Sequence, residues 1–239
     1  MTAIGPITVT TTAMPRPELL ERTYRSFCDR MARCDFGRAH LIINVDPFPD
    51  DLAQGLREQC IEIAKRYFSV VSPRLPAIPN FALAVKYLWE SASTDIVFNL
   101  EDDWELLEPV DFEGLVGQMK SHGASHLMLR AWRSSRYKFC LGPGLIRKPL
   151  YKLCADRLAP TTNPEMTIRS ALANIEYTST VFPQEHDRVV VKDIGRMWMR
   201  TAGYVRGGGD FIAWSKETPE NSSEHDRLAD QNRELTPGG

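Results

Sequence analysis

The sequence predicts an α/β fold in which a mostly parallel central sheet is flanked by helices and followed by a less regular second half. Three observations predict it. Short β-branched runs alternate with amphipathic helical stretches through the first hundred residues, the pattern of a parallel sheet with helical crossovers. Two of those runs end in acids, Asp46 and the triplet Glu101-Asp102-Asp103, at the carboxyl edge where ligands of such sheets sit. Finally, 239 residues with 43% hydrophobic and 25% charged side chains can bury a sizeable core.

The elements follow in order. ITVTTT, residues 7–12, is β-branched and bounded by Pro6 and Pro15, so it reads as a first strand. Pro17 suits the first turn of a helix over residues 18–31, where Leu19, Leu20, Thr23, Tyr24 and Phe27 fall at helical spacing. A strand over 39–46 and an amphipathic helix over 51–68 repeat the pattern. A short strand at 69–71 leads into a proline-rich loop over 73–79, then a helix over 80–91 with Ala84, Tyr87 and Leu88 on one side. DIVFNL, residues 95–100, reads as the next strand by its length and its Ile and Val content.

The second half offers a strand over 124–132, then a glycine-proline turn, short strand and helix over 140–154. A helix over 163–175 opens with NPE, and a strand over 189–195 ends near Asp193. One domain over 1–215 is expected, with halves at about 5–110 and 111–215. Residues 216–239, rich in Gly, Pro, Ser and charge, read as a loose tail.

No apolar run approaches the roughly 20 residues that a membrane helix requires. The first residues, MTAIGPITVTTT, lack the basic start and long apolar core of a secretory signal. Five cysteines, an odd count without a CxxC pair or zinc-ligand spacing, read as reduced thiols. The expectation is a cytoplasmic protein without a membrane partner or an evident obligate protein partner.

The triplet raises the chemical question. Adjacent carboxylates held close to a sheet by preceding apolar residues and by Trp104 repel one another unless a cation neutralises them. A hard divalent ion with oxygen ligands, Mg2+ or Mn2+, does so while leaving coordination positions for substrate phosphates. A nucleoside-diphosphate ligand is therefore expected, with a solvated charged loop as the alternative.

The order of these pieces, TTT then PRPELLERTYRSF, a strand ending at Asp46, the helix NFALAVKYLWESA and then VFNLEDDW, resembles the nucleotide-sugar-binding half of GT-A fold glycosyltransferases. The likeness is to the family-2-like inverting enzymes in particular and runs over roughly residues 5 to 205. It implies a Rossmann-like GT-A domain, a nucleotide-sugar donor with a UDP-sugar favoured, and a metal bridging the donor diphosphate. It implies that Asp103 and Asp102 contact the metal, that Asp102 or Glu101 faces the nucleotide sugar, and that Asp46, Thr12 and Arg16 line the nucleotide pocket. LGPGLIRKPLY followed by NPEMTIRSAL implies Glu165 as the catalytic base. Pro164 and Met166 depart from the family's usual pair of acids, and His186 is the alternative base. DIGR, residues 193–196, implies Asp193 as a third metal ligand and Arg196 as a diphosphate contact.

Charge asymmetry addresses the acceptor. Residues 120–157 hold nine basic residues against one acid, Asp156, a net of +8 in a chain whose total is −2. Arg130, Arg133, Arg136 and Lys138 are interleaved with Trp132, Tyr137, Phe139 and Tyr151, the composition of a groove that neutralises phosphates and stacks on bases. The leading expectation is a hydroxymethylated pyrimidine in DNA, flipped out of the duplex, of the kind that small phage enzymes of this fold decorate. A glycan or protein acceptor, a metal-dependent nuclease and a non-catalytic nucleic-acid-binding protein stay open as alternatives.

Overall fold

The structure is a computed structural model that describes residues 7–47, 54–130, 139–161, 163–185, 188–206 and 214–216. The first half runs β1 (Thr8–Ala13), α1 (Pro17–Arg30), β2 (Met31–Ala32), β3 (His40–Val45), α2 (Gln54–Tyr67), β4 (Val70–Arg74), α3 (Phe81–Ser91) and β5 (Ile96–Asn99). The second runs β6 (Trp104–Leu106), β7 (Val110–Asp111), α4 (Phe112–Ser121), β8 (His126–Leu129), β9 (Gly144–Arg147), α5 (Lys148–Arg157), α6 (Pro164–Leu172), β10 (Ser179–Phe182), β11 (Val191–Asp193), α7 (Gly195–Thr201), β12 (Tyr204–Arg206) and β13 (Trp214–Lys216).

Seven strands form the central sheet in the order β10-β8-β9-β5-β1-β3-β4. All pair in parallel except β9, which runs antiparallel to both neighbours. Both halves of the chain contribute strands to this one sheet. Chain order reverses between β1 and β5, since β3 and β4 lie on one side of β1 and β5 on the other. In open α/β sheets the carboxyl edge at such a reversal is where ligands bind.

The strands alternate as a period of two requires. In β3, Leu41 and Ile43 join the core under α1, α2 and α4, while Ile42 joins the core under α3, α5 and α6. Phe98 and Val97 in β5, and Leu145 and Ile146 in β9, divide in the same way. Phe27 from α1 and Phe112 from α4 meet the Phe98 ring on the first face. On the second, Trp89 of α3 packs edge-on against Phe139.

Some elements differ from expectation. β4 extends through Pro73, placed by sequence in a loop; β4 lies at the sheet edge, where proline's missing N–H costs no ladder bond. The strand over 191–193 joins no central strand and instead pairs antiparallel with β6, directly behind the acids. Lys216, expected at the start of a tail, lies in β13, which pairs with β12. No helix among the described residues is long and apolar enough to cross a membrane.

Candidate functional site

The acids are pinned to the end of β1. Leu100 N donates to Thr10 O at 2.9 Å and Asp102 N to Thr12 O at 3.1 Å, carrying the β1–β5 ladder past the end of β5. Asp102 is then enclosed. Its Oδ2 accepts from Met14 N at 3.0 Å and Arg16 Nε at 3.2 Å, and its Oδ1 from Arg16 Nη2 at 2.6 Å. The same Nη2 reaches Asp103 Oδ2 at 3.1 Å, and the guanidinium carbon lies 5.7 Å from the centre of the Trp198 ring.

Asp103 is held from the other side by the turn into α7. Its carbonyl accepts from Ile194 N at 2.8 Å, and Gly195 approaches so closely that a Cβ there would stand 2.1 Å from Asp103 Oδ2. Glu101 Oε2 accepts from Trp104 Nε1 at 2.9 Å. Asp193 Oδ1 accepts from the N–H groups of Gly195 and Arg196 at the start of α7, and Arg196 Nε lies 3.0 Å from its Oδ2. Asp193 is therefore fully engaged by α7, and the exposed Arg196 is paired with it.

Electrostatics bind these groups into one cluster. Burial, then the charge of Asp102, pushes the Asp103 carboxyl up to about 7 against the pull of Arg16, with Asp193 adding to the rise. Burial and then Asp103 hold Glu101 well above the usual carboxylate range, with Glu165 and Asp102 contributing and the Trp104 N–H opposing. Burial disfavours the charged form of Arg16, yet Asp102 and Asp103 outweigh it and raise its pKa. The edge thus gathers five interacting carboxylates, with Arg16 buried against Asp102 and Asp103, Arg196 beside Asp193 and Arg169 beside Glu165.

Among the described residues no three His, Cys, Asp or Glu side chains converge as a ready-made metal site. Asp102 and Asp193 have both oxygens taken by protein donors. Asp103 Oδ1 and Glu101 Oε1 stay clear of protein donors among the described residues, within the most strongly perturbed part of the cluster. The residues fit a cation that takes one or two carboxylates here and completes its shell with ligand phosphates. They do not fit a closed, all-protein cage.

Asp46 and Thr12 lie at the same edge. Asp46 Oδ1 accepts from Asn44 Nδ2 at 2.7 Å and its Oδ2 from Asn80 N at 3.1 Å, fastening the end of β3 to the start of α3. Burial raises its pKa in spite of those two donors. Arg74 joins this corner, with Nη1 3.1 Å from Asn44 Oδ1 and its guanidinium 4.9 Å from the centre of the Tyr87 ring.

Glu165 opens α6, where Asn163 Oδ1 accepts from its N–H and that of Met166. Its Oε1 accepts from Leu141 N at 3.0 Å, and its Oε2 lies 3.4 Å from Arg169 Nη2. The base candidate thus shares an electrostatic environment with Glu101 although 64 positions separate them in sequence.

Among the described residues, several members of the basic segment turn to the protein's own backbone. Arg130 is 4% exposed, and its guanidinium donates to the carbonyls of Pro183 and Gln184 at 3.1 and 3.5 Å. Lys152 Nζ caps the end of α3 at the carbonyls of Trp89 and Glu90, and Lys148 Nζ reaches Ser93 O. Phe139 and Tyr151, expected as stacking platforms, are wholly buried. These cations donate to backbone carbonyls, and the two rings fill the core. Trp132, Arg133, Arg136, Tyr137, Lys138 and His186 lie outside the described residues.

Sequence reasoning missed Asn99, Arg169, Gly195 and Trp198. Asn99 had a signal, as a polar residue in an otherwise apolar strand; Arg169 stands four positions after Glu165, where helical side chains meet. Gly195 and Trp198 carried none.

No protein-family model and no curated protein matches the chain. S. aureus TarS superposes with a TM-score of 0.56 at 10% identity, covering 79% of this chain and 36% of that one. TarS 1-349 in complex with UDP gives 0.56 at 11% identity over 78% and 60%. The mannosyltransferase PcManGT from Pyrobaculum calidifontis, in complex with GDP-Man and Mn2+, gives 0.57 at 11% identity over 79% and 56%. The fold is the GT-A, Rossmann-like type. The chain spans about a third to three fifths of the length of these structures.

Proposed function

We propose that the protein is a nucleotide-sugar glycosyltransferase that moves a sugar, with inversion, onto an acceptor hydroxyl. The observation that carries the reading is geometric: the acids after β5 are bonded to the end of β1 at the sheet's switch point, and Glu165 of α6 is linked through Leu141 to Asn99 of the same β5. The GT-A fold and neighbours solved with UDP and with GDP-Man and Mn2+ support it.

Asp103 and Glu101 are the residues that would hold Mg2+ or Mn2+. Such an ion, when bound, stabilises the charge on the departing diphosphate. Arg16 supplies fixed positive charge beside the same oxygens, while Asp102 anchors Arg16. Asp46 and Thr12 flank the nucleotide, with a UDP-sugar the favoured donor. Glu165 accepts the proton of the acceptor hydroxyl as its oxygen attacks the anomeric carbon and the bond to the diphosphate breaks. The acceptor is a hydroxyl compound. A hydroxymethylated base in DNA rests on residues 131–138 alone, because Arg130, Phe139 and Tyr151 are buried.

The test is to incubate the protein with Mn2+ or Mg2+ and a panel of UDP- and GDP-sugars, then measure nucleoside diphosphate release with and without hydroxymethylated DNA or glycan. Metal-dependent release is expected. DNA cleavage independent of sugar would favour a nuclease, and a panel with neither release nor nucleotide binding would end the reading.

A further inference from the structure

A chain of buried contacts runs from the sheet to Glu165 and uses residues that the transfer chemistry itself does not name. Thr10 Oγ1 donates to Asn99 Oδ1 at 3.2 Å, and Asn99, two positions before Glu101, donates through Nδ2 to Leu141 O. The N–H of Leu141 donates to Glu165 Oε1. Arg169 then closes the circuit: its Nε donates to Phe139 O at 3.1 Å while its Nη2 faces Glu165 Oε2. The segment over 139–141 is thereby stapled at both ends, by Asn99 of β5 and by Arg169 of α6. It is also anchored by the Phe139 ring, which stacks on His126 at 4.5 Å.

Resting on the reading of Glu165 as the base, we infer that Asn99 and Arg169 are positioning residues that fix the Glu165 carboxylate relative to the acids after β5. Asn99 lies in the strand that delivers Glu101 and Asp103, and its amide grips the residue whose N–H grips Glu165. A shift of β5 is therefore passed to the base through two hydrogen bonds. Arg169 fixes the second carboxylate oxygen from the next turn of α6, so rotation of the Glu165 side chain has to break one contact or the other. Each carboxylate oxygen retains a further lone pair with which to take a proton.

Arg169 is the better handle because its side chain is about one-third exposed (32%), so its replacement leaves the core intact. In Arg169→Met, kcat for nucleoside diphosphate release from the donor in Mn2+ should fall roughly 10- to 100-fold, the scale on which misplacing a catalytic group by about an ångström acts. Donor KM and the midpoint of thermal unfolding should stay near wild type. Arg169→Lys should recover part of the loss, since an ammonium can meet Glu165 or Phe139 O but lacks the fork that meets both. In a Glu165→Gln background, Arg169→Met should add no further loss, because both act on one group. Asn99→Ala should lower kcat in the same way; if it fails to fold, the Arg169 series decides alone.

A kcat for Arg169→Met within twofold of wild type, beside a large loss in Glu165→Gln, overturns this inference and leaves the transferase reading intact. Parallel losses of kcat, KM and thermal stability overturn it too, as the mark of a merely structural staple. A wild-type protein that releases no nucleotide from any donor instead overturns the transferase reading itself.

Discussion

Arg16 and Asp102 form a two-point ion pair sealed inside the protein, each side chain 4% exposed and both carboxylate oxygens engaged by one guanidinium. The pair joins the loop after β1 to the turn after β5 across the switch point. A buried charge deprived of its partner is far more expensive than the pair is valuable.

Arg16→Ala should therefore destabilise the protein by about 3–5 kcal/mol, with Asp102 left as an uncompensated buried carboxylate. Arg16→Lys should also lose stability, because an ammonium cannot reproduce the two-point contact. The double variant Arg16→Met with Asp102→Leu should lose less than Arg16→Ala alone. Urea unfolding of the three reads this directly; a loss below about 1 kcal/mol in Arg16→Ala would contradict a sealed pair.

Gly195→Ala tests the close approach of α7 to Asp103. A methyl group there would meet Asp103 Oδ2 at 2.1 Å and its Cβ at 2.7 Å, so the carboxylate or the helix has to move. The expected result is a drop of tenfold or more in Mn2+-dependent nucleotide affinity by calorimetry, with about 1–3 kcal/mol of lost stability from overpacking. Gly117 in α4 is the control, since a Cβ there meets nothing within 4 Å. Gly117→Ala should raise stability by about 0.5–1 kcal/mol and leave affinity alone.

Asp103→Ala should abolish Mn2+-dependent nucleotide binding, whereas Glu165→Ala should retain it and lose turnover. The division follows from their partners: Asp103 is held by Arg16 and the turn into α7 beside the other acids, whereas Glu165 is tied to Leu141 and Arg169. Nucleotide titration of both proteins with and without Mn2+ decides it, and equal loss of affinity in the two would contradict the assignment.

Much of this was legible in the sequence, and the limits are physical. The strand at 95–100 and its acids declared themselves because an apolar run can end in charge only where the sheet opens. The first helix followed from Pro17 and the spacing of Leu20, Tyr24 and Phe27. What periodicity cannot express is which groups meet across strands: Arg16 and Asp102 are 86 positions apart, and no local rule pairs them. Counting charge over 120–157 does not tell which basic residues face outward, for a related reason. A basic residue also satisfies carbonyls, and Arg130 and Lys152 do so here without exposing a phosphate site.

The cysteines give a prediction in pH. Burial pushes the thiols of Cys28, Cys34, Cys60, Cys140 and Cys154 up to about 12. A raised thiol pKa keeps the folded protein protonated where the unfolded chain, with an ordinary value near 9.0, has begun to ionise. Stability from this source is thus level below about pH 9 and falls as pH rises from there toward 12. Alkylation by iodoacetamide at pH 8 should accordingly be slow at all five sites in the native protein and fast after denaturation. Rapid native labelling of any one by peptide mass mapping would show a thiol outside the environment described.

Salt dependence discriminates among the basic residues as acceptor contacts. Lys148 and Lys152 spend their ammonium groups on the carbonyls of Ser93, Trp89 and Glu90. Replacing both with Ala should lower stability and leave the salt slope of any DNA binding unchanged. Arg133 and Arg136 belong to the part of the segment outside the described residues, and if they meet phosphate, Arg133→Ala with Arg136→Ala should reduce that slope by about 1 for each phosphate no longer neutralised. Affinity for hydroxymethylated and unmodified duplex, measured between low and moderate salt, separates the cases. A slope that responds to Lys152 but not to Arg133 would mean that the carbonyl cap on α3 gives way to a phosphate, and a flat slope in the unmodified protein would remove DNA as the acceptor.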